Sequence, residues 1–174
     1  MEDHLAMLQH RQPSRIFIEK KLMLCIWWDQ LGVVYYELLK PNEIIIEALY
    51  RTQLMRLSRA LKEKRAHYSR HDKIILLHDN ARPYIAAPVK TYLETLKWEV
   101  LPHPPYSPDI APFDYHLFRS MTHGLSEQHF TSYKGTKNCI DWIASKDEAF
   151  FRRGIHMLPA RWEKVVASDG HYFE

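Results

Sequence analysis

With 174 residues, 46% of them hydrophobic, the chain has the size of one domain and enough apolar mass for a real core, which excludes a disordered tail. Its 24 Lys and Arg against 21 Asp and Glu leave a formal charge of +3, which permits an anionic partner without requiring one. No stretch approaches the ~20 apolar residues of a membrane span and the start lacks a secretory apolar core, so a cytosolic or nuclear protein is expected.

Taken in chain order, "LMLCIWW" (Leu22 to Trp28) and "VVYYELL" (Val33 to Leu39) are apolar and β-prone around the breaker "DQLG", which predicts a hairpin. After "KPNE", Ile46, Leu49, Tyr50, Leu54, Leu57 and Leu61 recur at steps of three and four with Arg and Lys opposite, the pattern of a long amphipathic helix. "KIILLH" (Lys73 to His78) is a short continuous apolar run, as expected of a strand covered on both faces. "APVKTYLETL" places Val89, Leu93 and Leu96 at helical spacing, and "WEVLPH" returns as a strand, so a right-handed parallel unit is predicted. The loop "PPYSPDIAP" (Pro104 to Pro112) is too rich in proline for regular structure. From Pro112 a helix is expected with Phe113, Leu117, Phe118 and Met121 on one stripe, followed by two or three more helices broken at Gly154 and Pro159.

Asp79 closes the predicted buried strand, and Asp114 stands just inside the first turn of the helix after the proline loop. In an α/β sheet both places lie near the carboxyl ends of strands, where ligand sites gather. Two carboxylates there suit Mg²⁺, which takes one or two protein carboxylates and completes its shell with water and phosphate. Ordinary turn or cap aspartates are the competing reading.

"HDNARP" followed, with 34 residues between the two aspartates, by the second aspartate of "SPDIAPFDYHLF" resembles the catalytic domain of mariner-type DNA transposases, in the Tc1/mariner superfamily. "MLCIWWDQLGVVYYELLKP", "YLETLKWEVLPHPPYSPD" and "RWEKVVASDGHYFE" are similar to the same family, so the likeness runs from about Pro13 to the last residue. It implies an RNase H-like fold of class α/β, a mixed sheet flanked by helices with a helical C-terminal tail. It also implies three acids holding two Mg²⁺ or Mn²⁺ ions for in-line phosphoryl transfer, here DNA cleavage and strand transfer. Asp79 matches the second family acid and Asp114 the third. The first belongs to a "TGDE"-like motif on the first strand, which this sequence lacks; Asp29 matches a hairpin-turn residue that is not a ligand in the family, and Asp3 has no strand pattern around it.

Residues 1–21 therefore read as an atypical segment and 22–174 as a catalytic domain incomplete at its start, with no helix-turn-helix region. The first strand is expected to be missing, leaving a vacancy between the hairpin and the parallel strands that "SRIFIEK" alone could fill. Two further departures are Tyr84, where the family commonly has His, and Phe113, where it has a Ser able to cap the helix.

Other candidates are weaker. His71, His78, His103, His116 and His123 lack zinc spacing with a Cys and read as surface or capping residues. Cys25 and Cys139 read as reduced, buried thiols, the tryptophans as core, and Ser107 belongs to no nucleophile elbow. Arg51, Arg56, Arg59, Lys62, Lys64 and Arg65 form a basic helix face, which is either simply solvated or, with Arg82, in contact with DNA phosphates. The resulting expectation is a nuclear, mariner-derived domain with DNA as partner, a possible homodimer, and no membrane or small-molecule substrate. Its cleavage is expected to be impaired for want of the first acid, the alternative being a non-catalytic DNA-binding or dimerising module.

Overall fold

A computed structural model describes residues 6–10, 23–40, 43–65, 74–105, 107–125 and 133–169. Strands β1 (Ala6–His10), β4 (Ile74–His78) and β5 (Glu99–Val100) form a parallel sheet in the order β1-β4-β5. Strands β2 (Met23–Asp29) and β3 (Gly32–Leu39) form an antiparallel hairpin whose β2 lies against β1. Helices α1 (Glu47–Lys64), α2 (Arg82–Ile85) and α3 (Ala87–Leu96) cover one face. The other is covered by a π-helical segment (Phe113–Phe118), α4 (Arg119–Gly124), α5 (Tyr133–Ala144), α6 (Glu148–His156) and α7 (Leu158–Ala167).

The pleat of the strands builds these layers. Cys25 and Trp27 point into a core with Tyr50, Leu54, Leu57 and Leu76, while Ile26 and Trp28 point into a second core with Leu77, Phe113, Leu117 and Phe151. In β4 the consecutive Leu76 and Leu77 are buried on opposite faces, as its continuous apolar run predicts.

β1 overturns one expectation. No vacancy separates the hairpin from β4: Ala6–His10 lies there, paired with β4 from Ala6 opposite Ile74 to His10 opposite His78. Its apolar "AML" core is short enough to escape a periodicity search, and a central parallel position requires only a backbone ladder. "SRIFIEK" lies outside the described residues.

The hairpin turn is closed by Gly32 at φ +126, which a side-chain-bearing residue rarely adopts, and by the Leu31 amide donating to Asp29 Oδ1 at 2.9 Å. Asp29 is itself fully buried and accepts from Arg65 Nε at 2.8 Å and Nη2 at 3.1 Å, a two-pronged pair that clamps the end of α1 to the hairpin. Glu47 in the first turn of α1 and Lys62 and Lys64 in its last suit the helix dipole. Ile46 is the N-cap of α1 and half exposed rather than part of its apolar stripe.

Gly154 does not break a helix; it lies inside α6, and a Cβ there would stand 2.4 Å from His116 Cδ2. The break falls at Met157, with Pro159 in the first turn of α7, where its missing N–H costs nothing. Both cysteines are free and buried, and burial pushes the Cys25 thiol up to about 12.

Two outcomes follow from this packing. Asp29→Ala strands the guanidinium of Arg65 and should cost about 3 kcal/mol in urea unfolding, whereas a cost below ~0.5 kcal/mol would show that the clamp contributes nothing. Native chain at pH 8 should leave Cys25 unalkylated by iodoacetamide and urea should expose it; rapid native labelling would contradict its burial.

Candidate metal and nucleic-acid site

Strand β4 runs Ile-Ile-Leu-Leu-His and delivers Asp79 at its carboxyl end. The residues on either side of Asp79 are tied down. His78 is buried and shares a 2.9 Å hydrogen bond between its Nδ1 and the hydroxyl of the fully buried Tyr50 in α1. Burial, and then the neighbouring His103, lowers the His78 pKa to about 4, so the imidazole is neutral at pH 7. Tyr84 packs at a tilt on Tyr50, ring centroids 4.3 Å apart, and stacks on His78 at 5.9 Å, so this tyrosine is a core residue. On the other side, Asn80 Nδ2 donates to the carbonyl of His103 in the loop that leads toward Asp114.

Asp114 is placed by the opposite layer. Pro108–Ile110 makes a 3-10 turn, Ile110 and Phe113 bury into the second core beside Leu77, and the Asp114 amide donates to Ala111 O at 2.8 Å. Phe113 cannot cap the helix as Ser would, but its ring is 5% exposed and stacks with Phe118, so burial offsets the lost cap. Tyr115 donates to Gly154 O at 2.6 Å, and His116 Nε2 bonds with Phe150 O at 2.8 Å. Arg161 stacks over the Tyr115 ring at 4.1 Å and donates to Asp109 O at 3.0 Å.

Asp79 follows His78 at the carboxyl end of β4, near enough to Tyr84 for its charge to help raise that hydroxyl's pKa, and Asp114 lies in the first turn of the π-helical segment. Both residues are half-buried, open enough for a ligand. Two hard carboxylates suit one Mg²⁺ or Mn²⁺ ion with water and a phosphate oxygen in its remaining positions. A two-ion site is a different matter: among the described residues no three His, Cys, Asp or Glu side chains converge, and none of the five residues of β1 is acidic.

The basic residues divide. Arg65 is committed to Asp29, and Arg56 Nη1 bonds Glu37 Oε1 at 2.6 Å. Lys64 Nζ donates to Val34 O at 2.7 Å. These three fasten α1 to the hairpin. Arg51, Arg59 and Lys62 instead fall on one exposed stripe of α1 with Met55, and Arg82 is exposed three residues beyond Asp79.

The histidines are not the surface groups that loop positions suggested. His78, His103 and His116 are buried and His123 is exposed; His71 lies outside the described residues. Asn80, Tyr115 and Arg161 were invisible to sequence reasoning because their partners stand 23 to 52 residues away. No described helix is long and apolar enough to cross a membrane.

Residues 7–71 match the family model described as "Transposase (partial DDE domain)". The chain is 59% identical over 165 residues to the Mariner Mos1 transposase of Drosophila mauritiana, covering 94% of this chain and 47% of that protein. It is 36% identical over 163 residues to the histone-lysine N-methyltransferase SETMAR of Homo sapiens, covering 93% of this chain and 24% of that one. The chain thus spans about half of the first relative and a quarter of the second. Among solved structures, the Mos1 transposase catalytic domain with Raltegravir and Mn superposes with a TM-score of 0.89 at 56% identity, covering 97% of this chain and 85% of that one. The Mos1 transposase paired-end complex with left transposon end gives 0.86 at 47%, covering 99% and 57%.

Tyr50→Phe keeps the buried ring and removes the hydroxyl from His78. It should cost about 1–2 kcal/mol in urea unfolding, and an unchanged midpoint would mean that the pair adds nothing.

Proposed function

The chain belongs to the mariner transposase family, with the RNase H-like fold of its catalytic domain, and on that premise we propose a DNA-binding module that holds one divalent cation between Asp79 and Asp114 and cleaves DNA poorly. The observation that supports this reading is a half-buried Asp79 at the carboxyl end of β4 and a half-buried Asp114 in the first turn of the π-helical segment, beside a β1 without an acid. The Mn and the Mg in two structures of the Mos1 catalytic domain with Raltegravir support Mn²⁺ or Mg²⁺ as the ion, and the transposon end in the paired-end complex supports DNA as the partner.

In this proposal Asp79 and Asp114 supply anionic oxygens, half-buried, so that their charge is desolvated enough to attract a dication and open enough to admit a phosphodiester. Such an ion, when bound, acts as a Lewis acid that polarises a phosphoryl oxygen. Neutral His78 adds no positive charge that would oppose cation binding. Arg51, Arg59 and Lys62 form a stripe that can follow a phosphate backbone, and Arg82 adds a cation close to Asp79. Two acids do not support a symmetric two-ion clamp on attacking and leaving oxygens, so strand cleavage should be slow. A nuclear location follows from the DNA partner.

SETMAR, of which this chain spans 24%, supports a second reading, that such a domain serves as a non-cleaving part of a larger protein. Cleavage separates the two: nicking of supercoiled plasmid that needs Mn²⁺ and vanishes in Asp79→Ala supports a residual nuclease, and equal background in both leaves binding alone.

Calorimetric titration with Mn²⁺ should show one saturable site in the native chain and none in Asp114→Ala; identical curves would refute the ion site. Replacing Arg51, Arg59 and Lys62 together with Ala should reduce the slope of log affinity for duplex DNA against log salt by roughly three, and an unchanged slope would remove this stripe from the interface.

A further inference from the structure

The π-helical segment Phe113–Phe118 is unusual in itself. Bonds from residue i to i+5 are rare, widen the turn, and occur mostly as single turns at functional sites. Here the Arg119 amide donates to both Asp114 O and His116 O, and the first of these bonds makes the wide turn open on the residue proposed as a metal ligand. Compared with an α-turn, the extra residue rotates the helix and changes the direction in which Asp114 leaves it.

Two side chains of this turn fasten to one turn of α6. The Tyr115 hydroxyl donates to Gly154 O at 2.6 Å, and His116 Nε2 bonds with Phe150 O at 2.8 Å. Their acceptors are four residues apart, so they lie above one another on the α6 surface. Gly154 lets the two segments approach: a Cβ there would meet His116 Cδ2 at 2.4 Å and Trp28 Cη2 at 3.1 Å. Glycine inside a helix costs stability, and this contact supplies the reason for it. Arg161 locks the far side, covering the Tyr115 ring and donating to Asp109 O, so the start of the loop that leads into Asp114 is held by the same cluster.

From this geometry we infer that Tyr115 and His116 are positioning residues that hold the π register against α6 and so fix the direction of the Asp114 carboxylate. The inference rests on the proposed ion site for its consequence, but the register itself can be observed without metal.

The test uses the full chain and two variants. Tyr115→Phe removes the hydroxyl and keeps the ring under Arg161. Leu93→Val, in the core on the opposite face, is the control for general loosening. Amide hydrogen exchange at Arg119 reports its shared bonds to Asp114 O and His116 O, both within the turn that Tyr115 fastens, and Mn²⁺ calorimetry reports the carboxylate. Tyr115→Phe should speed Arg119 exchange and weaken Mn²⁺ binding, each at least tenfold, a size usual for groups that orient a metal ligand, while Leu93→Val leaves both near wild type. Unchanged Arg119 exchange in Tyr115→Phe overturns the inference, as does faster exchange with unchanged Mn²⁺ affinity, or equal effects in Leu93→Val. A wild-type chain that takes up no Mn²⁺ sinks the ion site instead, and Arg119 exchange then decides the register alone.

Discussion

Leu76 and Leu77 are adjacent in sequence, fully buried, and packed into different cores. That arrangement forces β4 to lie between two helical layers, because each leucine needs its own apolar cover. Once β4 is pinned in this way, neither its register nor its end can slide without turning both leucines to the wrong face. Asp79 therefore emerges at a fixed height, and each adjoining residue is tied to a different part of the fold, His78 to Tyr50 and Asn80 to the His103 carbonyl. The site's first carboxylate is a by-product of strand burial.

The second carboxylate depends on the opposite layer. Asp114 has no strand to fix it; it is fixed by Phe113 entering the core beside Leu77, and by Tyr115 and His116 fastening to α6. Each of the two cores thus positions one of the two carboxylates. Substitutions deep in either layer can move one carboxylate relative to the other without touching a ligand, and a misplacement of about 1 Å can cost two orders of magnitude in rate.

The hairpin, α1 and β4 were legible because apolar periodicity of two, 3.6, or none is written locally in the side chains. So was the family, through the motif around Asp79 and the second motif around Asp114, with 34 residues between the two aspartates. β1 was not, since five residues that pair through their backbone leave little pattern, and the missing acid drew attention to a gap that the structure fills. Gly154 was misread as a helix breaker because its reason lies across space, in the ring of His116. Arg65 was grouped with the surface cations, yet its partner Asp29 is buried 36 residues away. The π-helical turn likewise has no local signature: its partners arrive from α6.

The proposal that Asp79 and Asp114 hold one ion makes the number of bound ions the quantity on which the functional reading stands. Crystals grown with Mn²⁺ and measured at the manganese absorption edge would count and place the ions directly. One anomalous peak within coordination distance of both Asp79 and Asp114 is the predicted result. No peak there, or two peaks separated by about 4 Å as in a complete two-ion centre, would contradict it.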